Sequence, residues 1–137
     1  MKRISTCFLL VIVLISGLCV TPLLAHHAFA AEFDRSKPVK VEGIVKKVEW
    51  MNPHIWFYVE VKDASGKATT WGFSGGPPGQ LARRGINKDA LKIGDRVKVE
   101  GFQAKNGTTN ATGSSVTFAD GRNVFAGSAE DAPLPGR

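Results

Sequence analysis

The chain has 137 residues, with 18 lysines and arginines against 12 aspartates and glutamates, a formal net charge of +6 and two cysteines. This is the length of one domain, which excludes a multidomain enzyme. The hydrophobic content of 43% is ordinary for a globular protein, but a large part of it lies near the N-terminus.

Residues 1–25 have the pattern of a secretory signal peptide. Lys2 and Arg3 form a basic start, an apolar segment covers 8–20, and Thr21–Pro22 interrupts it. The apolar segment is shorter than the roughly 20 residues that a transmembrane helix needs. We therefore predict a bacterial protein that is exported to the periplasm or secreted, with no stable membrane anchor after cleavage.

The cleavage site decides whether two histidines remain in the mature protein. A cut after Ala25 leaves His26 and His27 at the new N-terminus, whereas a cut after Ala30 removes both. We favour the cut after Ala25, because the alternative lies far from the apolar segment. Both cysteines precede either cut, so the mature chain has no thiol for a disulfide, for catalysis or for metal ligation.

After an N-terminal extended segment over 26–37, the alternation of apolar and polar residues predicts a domain of β-strands over 38–128. Gly43 falls where the alternation changes phase, which predicts a bulge or a sharp bend. The expected strands are Val39–Trp50, His54–Lys62, Ala68–Ser74, Arg96–Phe102 and a final hairpin of Val116–Phe118 with Asn123–Phe125.

The segments between the strands complete the predicted architecture. Gln80–Arg84 is expected to form a short helix that ends at Gly85, 106–114 a polar loop, and 129–137 a disordered tail. Three strands, a short helical link and further strands are typical of the OB-fold, a five-stranded Greek-key barrel. We therefore predict an all-β protein with an OB-like barrel; an open β-sandwich or another small barrel is the alternative.

Four segments of the sequence resemble a family of small exported bacterial proteins that is known only as a domain of unknown function. They are AHHAFAAEFDRSKPV, VEWMNPHIWFYVEVKD, LKIGDRVKVEGFQAKNG and VTFADGRNVFAG. The resemblance covers nearly all of the mature chain and implies an exported protein with an OB-like barrel. It implies no activity, substrate or binding residue.

The three histidines are the strongest candidates for metal ligation. With a cut after Ala25, the α-amine and imidazole of His26 and the imidazoles of His27 and His54 form a nitrogen-rich set that favours copper(II), ahead of nickel and zinc. Alternatively, His27 and His54 bind zinc together with a carboxylate such as Glu32 or Asp34. The opposing interpretation is a flexible terminus and a loop histidine, with no metal.

Aromatic residues and the loop between the first two strands form a second candidate site, for a small ligand or a protein partner. The alternation around the second strand places Trp56 and Tyr58 on the side away from its apolar residues, and the loop contains Asn52. Trp50 and Trp71 add ring surface nearby. The opposing interpretation assigns these rings to the core and to the ends of the barrel.

Nothing in the sequence suggests a nucleophile paired with a base, so we predict a non-enzymatic binding module. Its ligand is a small molecule, a metal ion or a periplasmic protein. Single-stranded nucleic acid is a weaker alternative, because alternating lysines are typical of the solvent side of any antiparallel strand. The basic residues concerned are Lys40, Lys46, Lys47, Arg96 and Lys98.

Overall fold

The computed structural model describes residues 31–127. The predicted signal peptide, both candidate cleavage sites and the predicted tail lie outside the described residues. The elements are β1 (Phe33–Glu49), β2 (Trp56–Lys62), β3 (Ala68–Ser74), α1 (Pro78–Arg83), β4 (Arg96–Ala104), β5 (Asn110–Thr112), β6 (Ser115–Phe118) and β7 (Asn123–Phe125).

Five of these strands form a closed ring in the order β1–β2–β3–β5–β4, because β4 also pairs with β1. All the pairs in the ring are antiparallel except β3 with β5, which is parallel. The short strands β6 and β7 extend the sheet from the first half of β4. Within residues 31–127, this mostly β architecture, with a ring of five strands and the short helix α1, confirms the predicted fold class.

The core lies inside the ring and is made of the inward-facing residues of every strand. Phe57 and Phe73 are neighbours on paired strands and stack with ring centroids 5.4 Å apart. Leu81 of α1 is also fully buried, so the helical link contributes to the same core. The fully buried strand residues are Val45, Phe57, Val59, Phe73, Val97, Val99, Ala111, Thr112 and Val116.

The long strand β1 pairs with two strands of the ring, β4 and β2. Its first part pairs with β4, up to Ile44, and its last part pairs with β2 from Ile44 onward. Gly43 stands where these pairings meet, and a β-carbon there would overlap the carbonyl oxygen of Glu60. A glycine is therefore required by the close approach of β2.

The phase change predicted at Gly43 lies further along β1. Val45 is fully buried whereas Ile44 is only half-buried, so the inward side is unchanged on passing Gly43. The register instead shifts between Val45 and Lys47, where a bulge places Val48 on the core side. The predicted bulge is present, but two to four residues later than expected.

Two further expectations about strands were wrong. The segment 106–114 was predicted to be a polar loop, yet it contains β5, which pairs with β3 and closes the ring. The first strand begins at Phe33 rather than Val39, because Phe33 already pairs with Ala104 of β4. The final hairpin and the short helix before Gly85 are confirmed.

In the part of the chain that the structure describes, no helix combines the length and the apolar character that a membrane span requires.

Candidate functional site

Two aromatic side chains lie next to each other on the outer side of β2. Because side chains alternate along a strand, Phe57 and Val59 point into the core while Trp56 and Tyr58 point outward. The Trp56 and Tyr58 rings have centroids 6.4 Å apart and planes 24° apart, and both residues are half-buried. The structure thus leaves two adjacent rings on the surface, with a full core behind them.

The neighbouring strand β1 places a charged pair against these rings. Lys47 is opposite Tyr58 and Glu49 is opposite Trp56 in the β1–β2 register. The Tyr58 hydroxyl donates a hydrogen bond to Oε2 of Glu49 at 3.0 Å, and Nζ of Lys47 lies 2.6 Å from Oε1 of the same carboxylate. Nζ of Lys47 also lies 5.3 Å from the centre of the Tyr58 ring. The three side chains therefore hold one another in place.

The ionisation of this group follows from its contacts. Hydrogen bonds from Lys47 and then from Tyr58 lower the pKa of the Glu49 carboxyl. Burial, followed by the hydrogen bond to Glu49, raises the pKa of the Tyr58 hydroxyl, and the Glu49 carboxylate raises the pKa of Lys47. At neutral pH the group consequently holds one ammonium, one carboxylate and one neutral phenol.

On the other side of Tyr58, strands β3 and β5 complete the surface. Gly72 is opposite Tyr58, and Asn110 of β5 is next to Gly72. A β-carbon on Gly72 would lie 2.7 Å from Oδ1 of Asn110 and 3.3 Å from Cε1 of Tyr58. The missing side chain at Gly72 thus lets Tyr58 and Asn110 approach each other across β3. We call the outer surface formed by Lys47, Glu49, Trp56, Tyr58, Gly72 and Asn110 the aromatic face.

The other predicted ligand- or partner-binding residues lie elsewhere. Trp71 is opposite Val59, half-buried on the core side of β3, and its ring stacks on Phe73 at 6.2 Å. Trp50 is half-buried and packs against the core cluster. Asn52 is exposed in the loop between β1 and β2. Of the residues predicted from the sequence, the structure brings Trp56 and Tyr58 together and places the other two tryptophans against the core.

Of the three histidines predicted to bind a metal, only His54 belongs to the described residues; His26 and His27 lie outside them. His54 is half-buried, and its Nδ1 is 3.0 Å from the carbonyl oxygen of Gly75. A carbonyl can only accept, so Nδ1–H donates this hydrogen bond, and Nε2 is the ring nitrogen that does not take part in it. Within residues 31–127, no three side chains of the histidine, cysteine, aspartate or glutamate type are grouped as metal ligands would be.

A second outer surface lies on the first half of β1, on β4 and on β6. Lys40 pairs with Glu100 and Arg96 with Glu42, with all four side chains largely exposed. An open groove of about 300 Å³ crosses this surface beside Lys98 and Thr117. We call the surface formed by Lys40, Glu42, Arg96, Lys98, Glu100 and Thr117 the charged face.

Four members of the aromatic face were not expected from the sequence. Lys47 and Glu49 point outward as the alternation predicts, but their contacts with each other and with Tyr58 depend on the β1–β2 register, which the sequence does not show. Gly72 and Asn110 meet through the parallel pairing of β3 with β5, a contact between segments far apart in the chain. The alternation of β2 was the one signal that identified the position of this surface.

These observations define a small all-β domain with a five-stranded ring, one aromatic outer face and one charged outer face. More particularly, the chain belongs to a family of unknown function (DUF6152), whose family model matches residues 14–115. No curated protein and no solved structure matches the chain.

Proposed function

We propose that this protein is a non-enzymatic binding module that works after export, and that the aromatic face is its binding surface. The observation that carries the proposal is the pair of adjacent rings, Trp56 and Tyr58, on the outside of a strand whose inner side is fully used by the core. Large rings with a polar end are enriched at binding surfaces, since they supply contact area at small entropic cost.

The position of the rings in the fold supports the same function. In OB-folds, ligands bind on the outer face of the second and third strands. The aromatic face has Trp56 and Tyr58 on β2 and Gly72 on β3, with β1 and β5 at its two sides. Its polar groups are preorganised, because Lys47 and Glu49 already contact each other and Tyr58. A ligand would thus meet a surface that needs little rearrangement.

The contacts argue against single-stranded nucleic acid as the ligand. The basic residues that suggested it are divided between two faces, with Lys47 on one and Lys40, Arg96 and Lys98 on the other. Lys40, Lys46, Lys47 and Arg96 each form an ion pair with a glutamate. A phosphate backbone is bound through many uncompensated cations along one groove, which these residues do not provide.

The proposal can be tested with the indole N–H signals of the three tryptophans in NMR spectra. Fractions of the cell envelope are added to the labelled mature protein, and Trp→Phe variants assign each signal. Binding at the aromatic face is expected to shift the Trp56 signal strongly, whereas Trp50 and Trp71, which pack against the core, serve as internal controls. A fraction that binds and leaves Trp56 unchanged would place the binding surface elsewhere and contradict the proposal.

Copper binding is a second candidate, favoured by the fixed imidazole of His54. A ligand histidine is usually oriented by donating its other ring N–H to a neighbouring oxygen; in His54, Nδ1–H donates to the carbonyl oxygen of Gly75, which leaves Nε2 for the ion. Titration of the mature protein with copper(II), followed by native mass spectrometry, tests this candidate. His54→Ala is expected to weaken copper uptake; unchanged uptake in that variant would exclude His54 as a ligand.

A further inference from the structure

We propose that the ligand of the aromatic face is a neutral sugar ring of a glycan. This inference rests on the proposed binding function of that face and names its ligand class. Sugar rings combine an apolar side of C–H groups with a rim of hydroxyl groups. The aromatic face offers a matching combination, two rings surrounded by hydrogen-bonding side chains.

The charges around the rings favour a neutral ligand. Lys47 is paired with Glu49, and on the adjoining positions Lys46 is 3.7 Å from Glu60, so two cations face two carboxylates. The next cation along β2 is Lys62, which is four residues beyond Tyr58 at the end of the strand. A polyanion or a polycation would have to break these pairs, whereas a neutral ligand leaves them intact.

The hydrogen-bonding groups are placed on opposite sides of the rings. Glu49 uses two contacts, from Tyr58 and Lys47, and a carboxylate has about four lone-pair sites, so it can accept further hydroxyl donors. Asn110 is exposed on the β5 side, and its amide can both donate and accept. A sugar hydroxyl also does both, and it can therefore bind to either side.

The rings themselves supply the stacking surface. The face of an aromatic ring is the negative part of its quadrupole and attracts the weakly positive hydrogens of C–H groups. The ring planes of Trp56 and Tyr58 are within 24° of parallel, and their centroids are 6.4 Å apart on one strand, so neighbouring units of a glycan can contact neighbouring rings. Gly72 is buried between Tyr58 and Asn110, which brings the ring and the amide close together at this side of the surface.

The experiment compares neutral, cationic and anionic oligosaccharides of similar length. Chitotetraose is neutral, and its fully deacetylated form has the same backbone with ammonium groups in place of the acetamido groups. Maltotetraose adds a second neutral backbone and a hyaluronan tetrasaccharide an anionic one. Binding is measured by isothermal titration and by the Trp56 indole signal. At least one neutral oligosaccharide is expected to bind and to shift the Trp56 signal, with an affinity that is unchanged between low and high salt.

Two variants test the site. Trp56→Ala is expected to weaken binding about tenfold or more, because it removes one stacking partner. Lys98→Ala, on the charged face, is the matched control and should leave the affinity unchanged. Circular dichroism and thermal unfolding establish that each variant is folded before its affinity is measured.

Different failures separate the two proposals. If cell-envelope fractions shift the Trp56 signal but neither neutral oligosaccharide binds, the sugar inference is overturned and the binding surface stands. Preferential binding of the deacetylated or the anionic oligosaccharide would also overturn it. If neither the fractions nor the sugars affect Trp56, both proposals fail.

Discussion

The aromatic face and the charged face are built from the same kind of strand and differ in what their charges surround. On the charged face, Lys40–Glu100 and Arg96–Glu42 are exposed pairs on an otherwise polar surface. On the aromatic face, the Lys47–Glu49 pair is joined to Tyr58 by a hydrogen bond and lies beside Trp56. Alternating charges along a strand therefore identify its solvent side, but only the rings distinguish a candidate binding surface from ordinary solvated sheet.

The largest expected effect is a difference in stability between substitutions on the inner and the outer side of β2. Phe57→Ala should lower the free energy of unfolding by about 3–5 kcal/mol, because the ring is fully buried and stacks on Phe73. Trp56→Ala, one residue earlier, should cost only about 1 kcal/mol, because its ring is on the outer side. Urea unfolding followed by circular dichroism measures both. Equal losses would mean that Trp56 is part of the core.

A second prediction concerns the close contact between β4 and β5. Gly101 of β4 lies against β5, and a β-carbon there would overlap the carbonyl oxygen of Thr112. Gly101→Ala should destabilise the protein by about 2–3 kcal/mol, since backbone must move to admit the methyl group. Gly79→Ala in α1 is the control: its nearest neighbour would be 3.9 Å away, and it should stabilise by roughly 0.5–1 kcal/mol. Comparable melting temperatures for the two variants would contradict the contact at Gly101.

The third prediction uses the fact that Tyr58 is the only tyrosine of the chain. Its pKa is raised by burial and by the hydrogen bond to Glu49, so Glu49→Gln should lower it. Lys47→Met should raise it, because the ammonium favours the phenolate. Ultraviolet absorbance of the phenolate during an alkaline titration reads the midpoint directly. An unchanged midpoint in Glu49→Gln would show that the two side chains do not interact in solution.

The same shifts fix the pH range over which these contacts stabilise the aromatic face. Because the pKa of Glu49 is lowered on folding, its contribution is present above the ordinary carboxyl pKa and is lost as the pH falls through the lowered value. Because the pKa of Tyr58 is raised, its contribution is present below the ordinary phenol pKa and is lost as the pH rises through the raised value.

The smallest effect is expected on the charged face. Lys40→Ala and Arg96→Ala should each change the free energy of unfolding by less than about 0.5 kcal/mol, because both ion pairs are open to solvent, with side-chain exposures of 63% and 66% for the two cations. Neither should alter oligosaccharide affinity. A loss of affinity in either variant would assign the charged face a part in binding.

The sequence predicted the strands that alternate strongly and missed what depends on distant pairing. The outward position of Trp56 and Tyr58 could be predicted because β2 alternates without interruption. The bulge after Val45 could not be located, since two adjacent apolar residues, Ile44 and Val45, fit either phase. Strand β5 is Asn-Ala-Thr, which is too short and too polar to show any alternation. Its pairing with β3 is a property of the closed ring and left no local signal.

The candidate site was also predicted only in part. Two of its rings were identified, whereas the contacts of Lys47 and Glu49 with Tyr58 were not, because they depend on the β1–β2 register. The place of Asn110 was missed because it depends on β5. The three-histidine hypothesis remains a prediction, and the structure describes only the environment of His54.

The double pairing of β1 has a consequence for how the protein folds. Its partner β2 follows directly in the chain, but β4, its other partner, is made much later, and β5 later still. Closure of such a ring is slow, on the order of milliseconds to seconds, because distant segments must meet first. Until then the first half of β1 has an unpaired edge, and exposed edges invite pairing with other chains. Lys37 and Lys40 lie in this half of β1, and their charges oppose such pairing until β4 arrives.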